Sequence, residues 1–153
     1  MRRTLKWLIA LVVGVGIQST AHESMLLAQE SDDLVMIVNK GNAATMGMNL
    51  GEARKLLLGE ISGWRTGAKV IVVLKPAGSA DRAAILKKVC GMTEAAFTKY
   101  ELQASFTGQN AATVHEAASA AMIKGMVKAN PGAVGFLHKS ELDDTVKSVL
   151  ELP

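Results

Sequence analysis

The sequence predicts an α/β domain, a mainly parallel sheet flanked by helices. Three observations predict it. Short runs dominated by apolar residues recur at 34–38 (LVMIV), 69–74 (KVIVVL) and 133–137 (AVGFL). Stretches with apolar residues three and four apart separate these runs. Clusters of Gly, Pro and Asn mark the boundaries. Short apolar runs alternating with helical patterns define layered α/β architecture.

The first run, LVMIV from Leu34 to Val38, lies between Asp32-Asp33 and Asn39-Lys40-Gly41, the setting of a buried strand. Residues 41–49 are small and polar and read as a loop. Asn49 can cap a helix with Leu50, Ala53, Leu56 and Leu57 on one face, ended by Gly59. Gly63 to Gly67 is turn-rich. KVIVVL at 69–74 is the strongest strand signal, and Pro76-Ala77-Gly78 ends it. Ser79 caps a helix carrying Ala83, Ile85, Leu86 and Val89, which stops near Gly91. Thr93 opens a further helix to about Leu102, and 106–110 (FTGQN) reads as a loop.

From Thr113 to Ala129 the spacing predicts one long amphipathic helix. Val114, Ala117, Ala118, Ala121, Met122 and Met126 face inward, and Asn130-Pro131-Gly132 stops it. His115-Glu116 then lies in a solvated first turn. A strand at 133–137 follows, and 145–152 completes the sheet as a strand able to run antiparallel at an edge.

The 153 residues suffice for one domain and are too few for two ordinary ones. The single cysteine, Cys90, permits no intramolecular disulfide and sits at the end of an apolar helical run, where a buried, inert thiol is expected. Of the net charge of +3, residues 1–28 carry +2, through Arg2, Arg3 and Lys6 against Glu23. The remainder is nearly balanced, with no basic stripe interleaved with aromatics, so nucleic-acid binding is not expected.

The cationic start and the apolar run WLIALVVGVGI at 7–17 have the pattern of a secretory signal. The run is short for a membrane span, which needs about 20 residues. Cleavage is placed after Ala21 or after Ala28, leaving 29–153 as a single domain. An uncleaved anchor is the competing reading. The expected location is the periplasm or the exterior, reached by ordinary Sec-type secretion.

Open α/β sheets bind ligands beyond the carboxyl ends of their strands, at helix N-termini. The unit KVIVVLKPAGSADRAAIL fits that rule. Gly78 lets the backbone approach a ligand closely, and Ser79 offers a hydroxyl. Arg82, one turn into the helix, can bring a guanidinium fork, and Lys75 can add charge. These features suit a tetrahedral or carboxylate anion. The plainer reading is an N-cap with a solvated arginine, and the Asp81 carboxylate repels an anion unless it is turned away or paired. His22, His115 and His138 are scattered, and no nucleophile–base pair can be named. Neither an enzyme nor a cofactor is expected. Met46 and Met48 share a polar loop, but copper ligation is not expected, and the other methionines read as core.

The order of these motifs resembles small, single-domain members of the phosphate-type ABC transporter substrate-binding family. The similar segments are LVMIVNKGN (34–42), LLLGEISGW (56–64), Gly78-Ser79 with Arg82, Lys88-Val-Cys-Gly91, Phe106-Thr107-Gly108 and NPGAVGF (130–136). The resemblance implies a single periplasmic-binding-protein-like lobe. It also implies that Gly78, Ser79, Ala80 and Arg82 occupy a phosphate-binding G-S-G-T-R segment, with Ala80 and Asp81 in place of its glycine and threonine. Full-length members close two lobes on the anion, whereas residues 29–153 make one, and a homodimer is one way to supply the other.

The expected function is binding of phosphate or a similar oxyanion without catalysis, with an ABC permease or an envelope protein as partner. The alternative is an envelope interaction module that kept the fold and binds no ligand.

Overall fold

The computed structural model describes residues 33–43, 48–109 and 112–153. The 7–17 run, both cleavage positions, His22 and Met46 lie outside them. Strand β1 (Leu34–Asn39) is followed by α1 (Leu50–Leu57), β2 (Ile71–Leu74) and α2 (Ala80–Ile85), which continues as a π-helical turn at Leu86–Cys90. Then come α3 (Glu94–Thr107), β3 (Val114–Glu116), α4 (Ala120–Ala129), β4 (Ala133–His138) and β5 (Val146–Glu151). The sheet order is β3-β2-β4-β1-β5.

Strand β2 pairs in parallel with β3 and with β4, while β1 pairs antiparallel with both β4 and β5. Strand β1 is therefore the one reversed strand, and the other four point the same way. The edge strand β5 is antiparallel to its neighbour because that neighbour is β1.

The apolar strand runs are continuous because both faces of the sheet are covered. Along β1, Leu34, Met36 and Val38 face α1, α2 and α3, where Leu56, Leu57, Ile85, Leu86 and Phe97 pack with Val72, Leu74 and Phe136. Val35 and Ile37 face the other layer, with Val73, Leu137 and the α4 residues Ile123 and Val127. Gly135 lies on this second face. A Cβ there would come within 2.7 Å of Ile123 Cγ2 and 3.2 Å of Val127 Cγ2, so α4 packs onto bare backbone.

The α1 cap is as read: Asn49 accepts from Glu52 N at 3.0 Å, and Glu52 returns the contact to Asn49 N. Cys90 is buried, and burial pushes its thiol up to about 11 despite the opposing charge of Arg54. At neutral pH that thiol is protonated and unreactive.

Two expectations are corrected. Residues 113–129 are not one helix. Val72 N donates to Thr113 O at 2.8 Å and Ala117 N to Leu74 O at 2.9 Å, so Val114–Glu116 pairs with β2 as strand. The helix starts only at Ala120, capped by Ser119 accepting from Met122 N. Its buried residues are accordingly Ile123 and Val127, while Met122 is exposed. Helix α3 also outlasts Leu102, reaching Thr107 before the left-handed Gly108 ends it, because nothing before that glycine breaks the helix.

Candidate functional site

The parallel strands β2, β3 and β4 share one carboxyl-terminal edge, and the charged side chains of the 75–82 segment gather there. Strand β2 ends at Leu74, and the chain turns through Lys75, Pro76, Ala77 and Gly78 into α2. Gly78 has φ +84, a conformation that favours glycine. Ser79 N donates to Pro76 O at 3.1 Å, closing the turn. Ser79 Oγ accepts from Arg82 N at 3.3 Å, the N-cap contact expected of it. The next N–H groups, of Ala80 and Asp81, find no acceptor among the described residues, as the first turn of a helix requires. Gly78 and Ala80 are exposed, and Ser79 is half-buried.

Arg82 is not the solvated arginine of the plainer reading. Its side chain is 5% exposed, running under the loop rather than out of it. Nε meets Glu94 Oε1 at 2.9 Å, and Nη1 meets Glu116 Oε1 at 2.9 Å. Nη1 also donates to Lys75 O at 3.4 Å. Glu94 comes from the first turn of α3 and Glu116 from the end of β3. The arginine thus ties both elements to the end of β2.

Asp81 turns away from Arg82 and forms a second cluster. Its carboxylate meets Lys75 Nζ at 2.9 Å and His138 Nε2 at 3.2 Å. Burial works to raise its pKa. The hydrogen bonds and charges of Lys75 and His138 outweigh that and hold it below the usual carboxylate value. Lys75 therefore spends its charge on Asp81. At this edge the carboxylates of Asp81, Glu94 and Glu116 outnumber the cations Lys75 and Arg82, so any attraction for an anion comes from local N–H and hydroxyl groups.

The structure brings Gly78, Ser79, Ala80 and Arg82 into one turn, with the Arg82 head turned under it. The sequence reading passed over Glu94, Glu116 and His138. His138 ends β4, a position the strand-end rule would single out. Glu116 was hidden by its assignment to a helix. Among the described residues, no group of His, Cys, Asp and Glu is placed to hold a metal ion, and no helix is long and apolar enough to cross a membrane. A depression of about 220 Å³ lined by Gly59, Ile61, Lys69 and Thr113 lies at the amino ends of β2 and β3, the sheet edge opposite this cluster. Ligands of open α/β sheets sit at the carboxyl edge, so the cluster is the better candidate.

A sheet with helices on both faces and a capped, charged turn at the carboxyl ends of its strands defines an open α/β lobe. No protein-family profile matches the chain. Among solved structures, it is similar to an ABC-type phosphate transport receptor from Vibrio cholerae, at 25% identity and TM-score 0.53, over 77% of this chain and 45% of that one. It is also similar to a putative phosphate ABC transporter substrate-binding protein with bound phosphate from Clostridium perfringens, at 21% identity and TM-score 0.62, over 86% and 52%. PstS from Borrelia burgdorferi matches at 14% identity and TM-score 0.56, over 86% and 54%. The chain spans about half the length of each. The resemblance drawn from motif order is thus met at the level of fold.

Proposed function

We propose that this chain is an exported, non-catalytic binding protein for phosphate or a similar oxyanion, related to the substrate-binding components of ABC transporters. The ligand lies against the Gly78-Ser79-Ala80 turn. The observation that carries this reading is the turn itself. It stands at the carboxyl end of a parallel strand, with the N–H groups of Ala80 and Asp81 unpaired among the described residues and the Ser79 hydroxyl beside them. Such N–H groups at a helix start suit an anion. The phosphate-related names of the structural neighbours point the same way. Catalysis has little to work with there, because Ser79 Oγ serves the helix cap and no base stands beside it among its hydrogen bonds. Residues 1–28 serve as the export signal, and 29–153 as the binding domain, which places the protein in the periplasm or outside the cell. An ABC permease is the partner this reading implies.

One observation favours a second reading, an envelope interaction module that binds no ligand. The Arg82 guanidinium is already held by Glu94 and Glu116. Calorimetric titration of the full chain with phosphate and with sulfate separates the two. Oxyanion binding gives saturating heat with a millimolar Kd, accompanied by shifts of the Ala80 and Asp81 amide resonances. Absence of heat up to about 10 mM phosphate, less than 3 kcal/mol of binding free energy, overturns it.

A further inference from the structure

The carboxylate of Glu116 holds one face of the Arg82 guanidinium at the carboxyl edge of the sheet. Glu116 is the last residue of β3 and lies in register with Leu74, at the carboxyl edge of the parallel strands. Its oxygen is 2.9 Å from Arg82 Nη1, and its side chain is 53% exposed. Glu94, the other partner, is 28% exposed and holds Nε from the first turn of α3. The two contacts therefore differ in kind. Glu94 anchors the guanidinium from within, and Glu116 covers it from the solvent side on an edge strand of three residues.

We infer that Glu116 is a tethered competitor for the Arg82 guanidinium, so that an oxyanion reaches Arg82 only when the Glu116 carboxylate withdraws. This rests on the oxyanion-binding reading. A carboxylate and a phosphate offer the guanidinium the same acceptor oxygens, and one fork face holds one of them at a time. When Glu116 withdraws, Nη1 gains an open side while Lys75 O and Glu94 still hold the arginine in place. Arg82 has no spare charge while both carboxylates are bound. The surroundings agree: burial raises the pKa of Glu101, Arg82 opposes it, and Glu94 and Glu116 add to the rise. An ordinary structural ion pair would predict something else, namely a loss of stability on removing Glu116 and no gain in anion affinity.

Calorimetric titration of the full chain with inorganic phosphate tests this on the wild type, Glu116→Gln and Glu116→Ala, with Glu60→Gln as a control for net charge. Thermal melts confirm that each variant is folded. Two variants are used so that a folding defect in one leaves the comparison intact. Both Glu116 variants are expected to bind phosphate about tenfold or more tightly than the wild type, the gain of one charge-assisted hydrogen bond, with Glu60→Gln unchanged. Equal or weaker binding by the folded variants, against a wild type that binds, overturns the role of Glu116 and leaves oxyanion binding standing. Silence from wild type and variants alike overturns both. A silent wild type with binding variants supports the competitor and overturns the native protein as a phosphate binder. In a wild type that binds, phosphate also moves the carboxyl resonance of Glu116. A carboxyl signal that stays fixed while the Ala80 amide saturates overturns the inference.

Discussion

Arg82 shows how a side chain picked out by its place in the sequence can be tied up by charges far away in the chain. It is nearly fully buried, and a buried charge persists only when it is paired and hydrogen-bonded. Removing one member of such a pair costs about 3–5 kcal/mol where both are buried. Glu94 and Glu116 keep contact with water, so Arg82→Ala should fall at the low end, about 3 kcal/mol, measured by urea unfolding. Ser79→Ala should cost about 1 kcal/mol, the loss of one cap. Asp81 makes a pH prediction. Its folded pKa lies below the unfolded value, so its contribution is present above about pH 4 and is lost as pH falls through the folded value. Unfolding free energies of wild type and Asp81→Asn should therefore converge as pH drops from about 5 to about 2. A gap that stays constant over that range would contradict the ion-pair assignment.

At the scale of elements, α4 and β3 explain each other. The 3.6-residue spacing of Val114, Ala117 and Ala118 is compatible with a helix, but β2 has an open edge that Val114–Glu116 fills in parallel register. Ladder hydrogen bonds to Thr113 and Leu74 outweigh local spacing, because an unpaired backbone group next to a buried strand is costly. The helix begins after that segment and turns Ile123 and Val127 toward the sheet. Each such buried side chain is worth roughly 1.5–3 kcal/mol. Their close approach depends on Gly135. Gly135→Ala should cost about 1–3 kcal/mol, because the added methyl overlaps Ile123. Pairing it with Ile123→Ala, which removes the clashing Cγ2, should give a combined loss smaller than the sum of the two in a double-mutant cycle. Additive losses would mean that the contact does not set the packing.

At the scale of the molecule, the described lobe presents the candidate turn on one open edge. An anion on the 78–80 turn keeps much of its hydration, and the nearby carboxylates outnumber the cations. Phosphate affinity should therefore be weak, in the millimolar range, and little affected by raising salt from about 50 to 200 mM. A net-positive cleft would lose affinity over that range, because screening weakens its attraction for anions. Titrations at the two salt concentrations measure this, and a steep loss would indicate a cationic site elsewhere.

The fold class, the strands at 34–38, 69–74 and 133–137, the caps at Asn49 and Ser79 and the buried thiol were all legible in the residues, because each rests on a local pattern or a continuous apolar run. The turn carrying Gly78, Ser79, Ala80 and Arg82 was legible for the same reason. Tertiary structure alone decided that Val114–Glu116 is strand, that β1 is the reversed strand, and that Asp81 pairs with Lys75 and His138 rather than with Arg82. It also decided that Arg82 points inward to Glu94 and Glu116, residues 12 and 34 positions away in the chain. Charge pairing across such separations depends on which strand ends meet at one edge. That edge is set by sheet order, and no local spacing encodes it.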